Sequence, residues 1–181
     1  MRATGIVRRI DELGRVVIPK EIRRTMHIRE GDPLEIFTDK NGEVIFKKYS
    51  PIGELGDFAV QYAETLSKTS GHPTLITDKD NVIAVSGVSK KEFADRKISP
   101  EIEKVIEDKT VIKSSEDNEY SLHVVDGVDK YYAKVVHPII SEGDSIGSVI
   151  FLSTDEEKHM GEVEDKLAQS AAGFLGKQME L

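Results

Sequence analysis

Arg8, Arg15, Arg23 and Arg24 are the residues whose type and spacing suit a definite chemistry, the gripping of an anionic polymer. An arginine side chain is a planar fork that stays charged at physiological pH. It can bridge phosphates or read guanine O6 and N7 with two parallel hydrogen bonds. Three of the four lie in Gly14-Arg15-Val16-Val17-Ile18-Pro19-Lys20-Glu21-Ile22-Arg23-Arg24. This stretch reads as a turn, a short strand, a proline stop and a basic helical turn. Helical spacing puts Lys20, Arg23 and Arg24 on one side and Ile22 and Met26 on the other. Arg2, Arg9 and Lys20 are secondary candidates for phosphate contact. Arg29 sits beside an acidic turn and reads as structural. Each arginine also has a plainer reading. Arg8 can pair with Asp11 or Glu12 at a hairpin end, and Arg23 and Arg24 can form a merely solvated helix face.

The formal net charge of −8 argues against nucleic acid only as an average. Residues 1–50 hold 11 Lys/Arg against 8 Asp/Glu, a net of +3, and residues 1–29 alone reach +5. Residues 51–181 hold 14 against 25, a net of −11. A basic segment joined to an acidic body is a pointer to nucleic-acid binding.

Other chemistries find little support. Cysteine is absent, which removes disulfide scaffolds, thiolate catalysis and Cys-ligated metal, and fits a reducing cytoplasm. The five histidines, at 27, 72, 123, 137 and 159, show no short ligand spacing. No P-loop or Gly-x-Ser-x-Gly pattern occurs. Ser86-Gly87-Val88-Ser89-Lys90-Lys91 reads as a solvent loop, with a small anion-binding nest as the sharper alternative. No catalytic residue, metal or cofactor is expected. No apolar run approaches the roughly 18–20 residues that span a bilayer, and charge returns too early in the first residues for a signal peptide. A protein without membrane contact, in the cytoplasm, is expected.

The elements that must position the arginines follow from local pattern. Residues 4–10 are β-branched and strand-like. Asp11-Glu12-Leu13-Gly14 makes a turn, and residues 15–18 form a second short strand. Pro19 ends it and suits the first helical position. Residues 20–26 make about two helical turns. Glu30-Gly31-Asp32-Pro33 is a turn, residues 34–38 a third strand and residues 44–49 the returning one. Between them Asn41-Gly42 favours a two-residue type I′ hairpin. A module of about 50 residues buries little core alone and needs metal, disulfides or a partner. Dimerisation remains, with strands of two chains building one barrel and two copies of the arginine stretch related by a two-fold axis.

The run from Gly5 to Arg24, followed by Ile28-Arg29-Glu30-Gly31-Asp32-Pro33-Leu34-Glu35-Ile36, closely resembles the N-terminal DNA-binding domain of AbrB-type transition-state regulators. The resemblance implies a swapped-hairpin β-barrel dimer that binds double-stranded DNA through Arg8, Arg15, Arg23 and Arg24.

Residues 51–54, after Tyr49-Ser50, read as a linker between a domain at 1–50 and a second at 55–181. Residues 54–70 form a helix whose stripe is Leu55, Phe58, Ala59, Tyr62, Ala63 and Leu66. Strands at 74–77 and 82–86 flank the turn Asp78-Lys79-Asp80-Asn81. Ser99-Pro100-Glu101 starts a helix that shows Ile102, Val105 and Ile106 to a core. A meander follows, at 111–113, 120–125, 131–140 and 145–152, with turns at Asp126-Gly127 and Glu142-Gly143-Asp144. A helix at 161–179 carries Val163, Leu167, Ala171, Phe174 and Leu175.

This order gives an α+β domain with an antiparallel sheet and flanking helices. Together with residues 138–150, it resembles a GAF domain, a small-molecule sensing module. That likeness leaves two readings open, an unidentified small-molecule effector bound between the sheet and the middle helix, or a vestigial domain that binds no ligand. The whole chain is similar to developmental transcription regulators of endospore-forming bacteria. A sequence-specific, nucleoid-associated regulator of sporulation genes is expected, activating or repressing. The stripes of helices 55–70 and 161–179 can pair between chains in a four-helix arrangement, giving a tetramer. The other reading is an antitoxin-like protein-binding module, which uses the same swapped-hairpin dimer.

Overall fold

The computed structural model describes residues 4–115 and 122–180. The chain divides into two compact units, one ending at Tyr49 and the other beginning at Ser50.

Among the described residues of the first unit, Pro19 caps one short helix, α1 (Lys20–Thr25). Proline stands at the cap, one position earlier than its usual place inside the helix. Glu21 lies in the first turn and Arg23 and Arg24 in the last, each at the end of the helix dipole that favours its charge. The helix closes by a device the sequence did not advertise. Ile28 N–H donates to the Arg23 carbonyl (2.8 Å), and His27 N–H to that of Arg24 (3.4 Å), while His27 takes φ +51°. This is a Schellman ending with histidine where glycine is usual. Lys48 Nζ then reaches the His27 carbonyl at 2.8 Å.

Strands β1 (Leu34–Thr38) and β2 (Val44–Lys48) pair antiparallel, Thr38 opposite Val44. Their turn is wider than the type I′ expected at Asn41-Gly42. The Asp39 carboxylate accepts the N–H groups of Asn41 and Glu43, both at 2.9 Å. Only Gly42 takes a positive φ, whereas type I′ needs two such residues. Residues 4–10 and 15–18, expected as strands, lie in none. A strand exists by its ladder, and this single chain offers these residues no partner strand. The turn between them is formed, with Gly14 at φ +75° and Asp11 N–H bonded to the Arg15 carbonyl at 3.0 Å.

The second unit begins with a correction. Residues 51–54, expected as a linker, form the helical turn α2 (Pro51–Glu54). Ser50 accepts the Gly53 N–H, Pro51 occupies the first turn where its missing donor costs nothing, and Ile52 is fully buried. Helix α3 (Gly56–Ser70) follows, ended by Gly71 at φ +74°. Then come β3 (Thr74–Asp78), β4 (Val82–Ser86), a short helix α4 (Lys90–Phe93) where a loop was expected, and α5 (Pro100–Glu107). The remaining elements are β5 (Ile112–Lys113), β6 (Tyr132–Ser141), β7 (Asp144–Ser153) and α6 (Glu162–Gln178). The strand expected at 120–125 is not continuous. Tyr120 and Ser121 lie outside the described residues, and Leu122 makes only an isolated bridge to Ala133.

Five strands make one antiparallel sheet in the order β4-β3-β7-β6-β5. Side chains alternate across it. Ile76, Val149 and Phe151 meet Ala59, Ala63, Leu66, Ala168, Ala171 and Leu175 of α3 and α6. Leu75, Ile150 and Leu152 meet Phe93 of α4 and Ile102, Val105 and Ile106 of α5. These apolar side chains line the space between the sheet and the middle helix. Glu142 and Gly143 both take positive φ (+49° and +87°) between β6 and β7, so the type I′ turn occurs there.

Two glycines set the spacing. A Cβ on Gly147 would run into the Thr77 carbonyl oxygen across the β3–β7 pair. A Cβ on Gly176 would meet that of Ile140 where α6 lies on β6. The first turn of α6 is tied down by side chains. His137 Nε2 lies 2.7 Å from Asp165 Oδ1, Lys113 Nζ 3.6 Å from Oδ2, and His72 Nε2 3.6 Å from Glu164. Burial alone would raise the Asp165 carboxyl, but the His137 contact and the nearby Lys113 charge hold it below its usual value. The Glu164 carboxyl is lowered by its own backbone N–H and that of Gly161.

Candidate nucleic-acid interface

The arginine-bearing segment is built around the Asp11–Gly14 turn and α1. Asp11 Oδ1 accepts the N–H groups of Leu13 (3.0 Å) and Arg15 (2.8 Å), which closes the turn. Its Oδ2 accepts from Arg15 Nε at 2.7 Å. The Arg15 backbone N–H, then its guanidinium, hold the Asp11 carboxyl below the ordinary carboxylate range. Arg23 Nε donates to the Ile18 carbonyl at 3.2 Å, which ties α1 back to the segment that carries Arg15.

Arg8, Arg15, Arg23 and Arg24 are all exposed, as are Arg9 and Lys20. Arg2 lies outside the described residues. Arg8 makes only a 3.5 Å contact from Nη1 to the neighbouring Val7 carbonyl. Arg15 pairs with Asp11, so the ion pair considered for Arg8 goes to another arginine. Arg29 uses its backbone N–H on Asp32 Oδ2 at 2.8 Å, within the 29–32 turn. Sequence reading took Asp11 for a turn residue and missed its hold on Arg15, although the four-residue spacing was visible.

The apolar residues around these arginines are as telling as the charges. Val7, Ile10, Leu13 and Val17 are 85, 70, 74 and 72% exposed, and Ile36, Val44 and Phe46 are exposed as well. Among the described residues, none before Ile52 belongs to the buried core.

The arrangement has close relatives. A family model described as "Stage V sporulation protein T C-terminal, transcription factor" matches residues 54–180. Stage V sporulation protein T of Bacillus subtilis (strain 168) is 55% identical over 181 residues, covering 99% of each chain. The chain belongs to the stage V sporulation protein T family of transcription factors. In this family member the basic segment has relatives of its own. The transition state regulatory protein AbrB of the same organism is 61% identical over 51 residues, 28% of this chain and 52% of that protein. A model described as "Antidote-toxin recognition MazE, bacterial antitoxin" matches residues 7–53. Among solved structures, residues 122 to 287 of a methyl-accepting chemotaxis protein share the fold at a TM-score of 0.54. They are 14% identical and cover 69% of this chain and 88% of that one.

Proposed function

We propose that two copies of residues 1–50 build one swapped-hairpin barrel that binds double-stranded DNA. Arg8, Arg15, Arg23 and Arg24 of each chain face the duplex, with Arg2, Arg9 and Lys20 adding phosphate contacts. The observation that carries this reading is the coincidence of exposed arginines with exposed apolar residues in residues 4–49. A lone chain has no use for Val7, Ile10, Leu13 and Val17 in water, and a second chain would bury them. The protein then acts as a sequence-specific regulator of sporulation genes in the cytoplasm, at the nucleoid.

The second unit adds association and sensing. Phe58 and Tyr62 of α3 and Phe174 of α6 hold their rings 5.7–5.9 Å apart. Phe58 and Phe174 are still 40 and 43% exposed, and Val163 is 68% exposed. This aromatic face supports a tetramer through α3 and α6. A GAF-like unit also suits a small-molecule effector, whose binding would raise the unit's melting temperature by mass action. The antitoxin reading draws on the match at residues 7–53. Limited proteolysis separates the two, because a toxin-wrapping tail is degraded at once and a packed regulatory unit resists.

Arg23→Ala/Arg24→Ala tests the DNA reading. The double variant is expected to lose about a hundredfold or more in affinity for duplex selected by the wild-type protein. If all four arginines of each chain met phosphate, log K of the wild-type dimer would fall against log salt with a slope of roughly −7, and each arginine that reads a base instead makes the slope shallower. Unchanged affinity and a flat salt response would remove this surface from consideration.

A further inference from the structure

A carboxylate on a surface that faces DNA phosphates works against binding unless it does something else. Asp11 is such a carboxylate, and the geometry shows two separate uses for its two oxygens. Oδ1 closes the turn by accepting the Leu13 and Arg15 backbone N–H groups. A neutral asparagine oxygen would serve there equally well. Among the described residues, Oδ2 accepts only the Arg15 Nε–H, at 2.7 Å. That bond fixes the plane of the guanidinium and leaves both terminal nitrogens without a protein partner among the described residues. Those two nitrogens are a pair that can meet guanine O6 and N7 together. The Arg15 side chain is 70% exposed, so packing contributes little to its orientation.

We propose that Asp11 is a positioning residue for DNA recognition: its carboxylate orients the Arg15 fork before the duplex arrives and so turns a phosphate contact into a base-reading one. The proposal rests on Arg15 facing DNA. Arg23 follows the same principle with a backbone acceptor, its Nε on the Ile18 carbonyl, whereas Arg8 and Arg24 have no Nε anchor among the described residues and suit phosphate. Pre-orientation spares the rotamer entropy that a free arginine loses on binding. It also fixes which base pair Arg15 meets. Asp11 therefore weakens binding to a duplex of unrelated sequence while raising the preference for the right one.

The experiment uses the full-length protein in four forms: wild type, Asp11→Asn, Arg15→Lys and the double variant. The probes are a duplex selected by the wild type from a random pool and a scrambled duplex of the same composition, at one salt concentration. Asparagine keeps the turn's acceptor and removes the grip on Nε. Asp11→Asn is expected to bind the scrambled duplex more tightly and to lose about tenfold in the selected-to-scrambled ratio. In the Arg15→Lys background, Asp11→Asn is expected to leave that ratio unchanged. A ratio untouched by Asp11→Asn, or reduced equally in both backgrounds, overturns the proposal. Failure of the underlying DNA reading looks different: Arg15→Lys then binds both duplexes as the wild type does. A second measurement needs no variant. In the DNA-free wild-type protein the Arg15 Nε–H NMR signal is expected to be ordered, and a freely moving side chain overturns the proposal whatever Asp11→Asn does.

Discussion

The two units of this chain spend their apolar residues in opposite ways. From Ile52 onward, apolar side chains fill both faces of one five-stranded sheet. Before Ile52 the chain is about as dense in β-branched residues, yet Val7, Ile10, Leu13 and Val17 stand in water. The difference lies in where the strand partners are. In the second unit β6 and β7 are joined by a two-residue turn and find each other within one chain. In the first, residues 4–10 and 15–18 have no ladder in the single chain. Charge divides along the same boundary, basic before it and acidic after it. On the proposed reading, the unit that needs a partner to fold also carries Arg8, Arg15, Arg23 and Arg24, which would make folding, pairing and DNA contact a single event in it.

The sharpest way to break this comparison is Val7→Asp/Val17→Asp. Substitutions at residues so exposed ordinarily change stability by less than about 0.5 kcal/mol. If the first unit folds only as a dimer, the double variant instead abolishes its folding and its DNA binding together. Two-step unfolding of the wild type, monitored by hydrogen exchange in each unit, reads this directly. The first unit's transition is expected to move with protein concentration and to vanish in the variant, while the substitutions leave the second unit's transition in place. A variant that still folds and binds DNA would mean the exposed apolar residues serve nothing.

Legibility from sequence followed the same division. Ser99-Pro100-Glu101 announced α5, and Ser99 does accept the Ile102 N–H while Pro100 opens the helix. Such signals are local, and local signals survive tertiary context. Turn type was less readable. Asn41-Gly42 carried the stronger I′ signal, yet Asp39 beside it offered a side-chain acceptor and a wider turn won. Glu142-Gly143 took the I′ geometry because the long strands β6 and β7 impose their twist on the connection. Helical stripes were read correctly as apolar but too coarsely. Ala59, Ala63, Ala171 and Leu175 enter the core, whereas Phe58, Val163 and Phe174 turn outward. Contacts between distant residues were invisible, as with His137 and Asp165, which lie 28 apart in sequence. At the candidate interface, the arginines stand out by type and spacing, but the partner of Arg15 is visible only once the turn is built.

A middle-sized effect sharpens the other side of the comparison. In Gly147→Ala the new methyl group meets the Thr77 carbonyl oxygen, and neither strand can retreat without losing its place in the sheet. The expected cost is about 3 kcal/mol, at the upper end of the usual overpacking range. Denaturant unfolding should show it in the second transition only, with the first unit's midpoint and DNA affinity per folded dimer unchanged. A loss shared by both units would mean that they unfold as one cooperative body.

The smallest effect concerns how α6 is fastened to the sheet. Asp165 has a carboxyl lowered in the folded state chiefly by His137, against the opposing effect of burial. A depressed carboxylate contributes stability that is present above its unfolded value, about 3.9, and is lost as pH falls through the folded value. Asp165→Asn should therefore cost about 1 kcal/mol or less at neutral pH, since the pair is partly solvated. The gap between variant and wild type should close as the solution is taken below about pH 4. Only the second unit's transition is expected to carry this dependence, because His137, Lys113 and Asp165 all belong to it. A gap that stayed constant from pH 7 to pH 3 would show that Asp165 holds α6 by shape and hydrogen bonding alone, with its charge irrelevant.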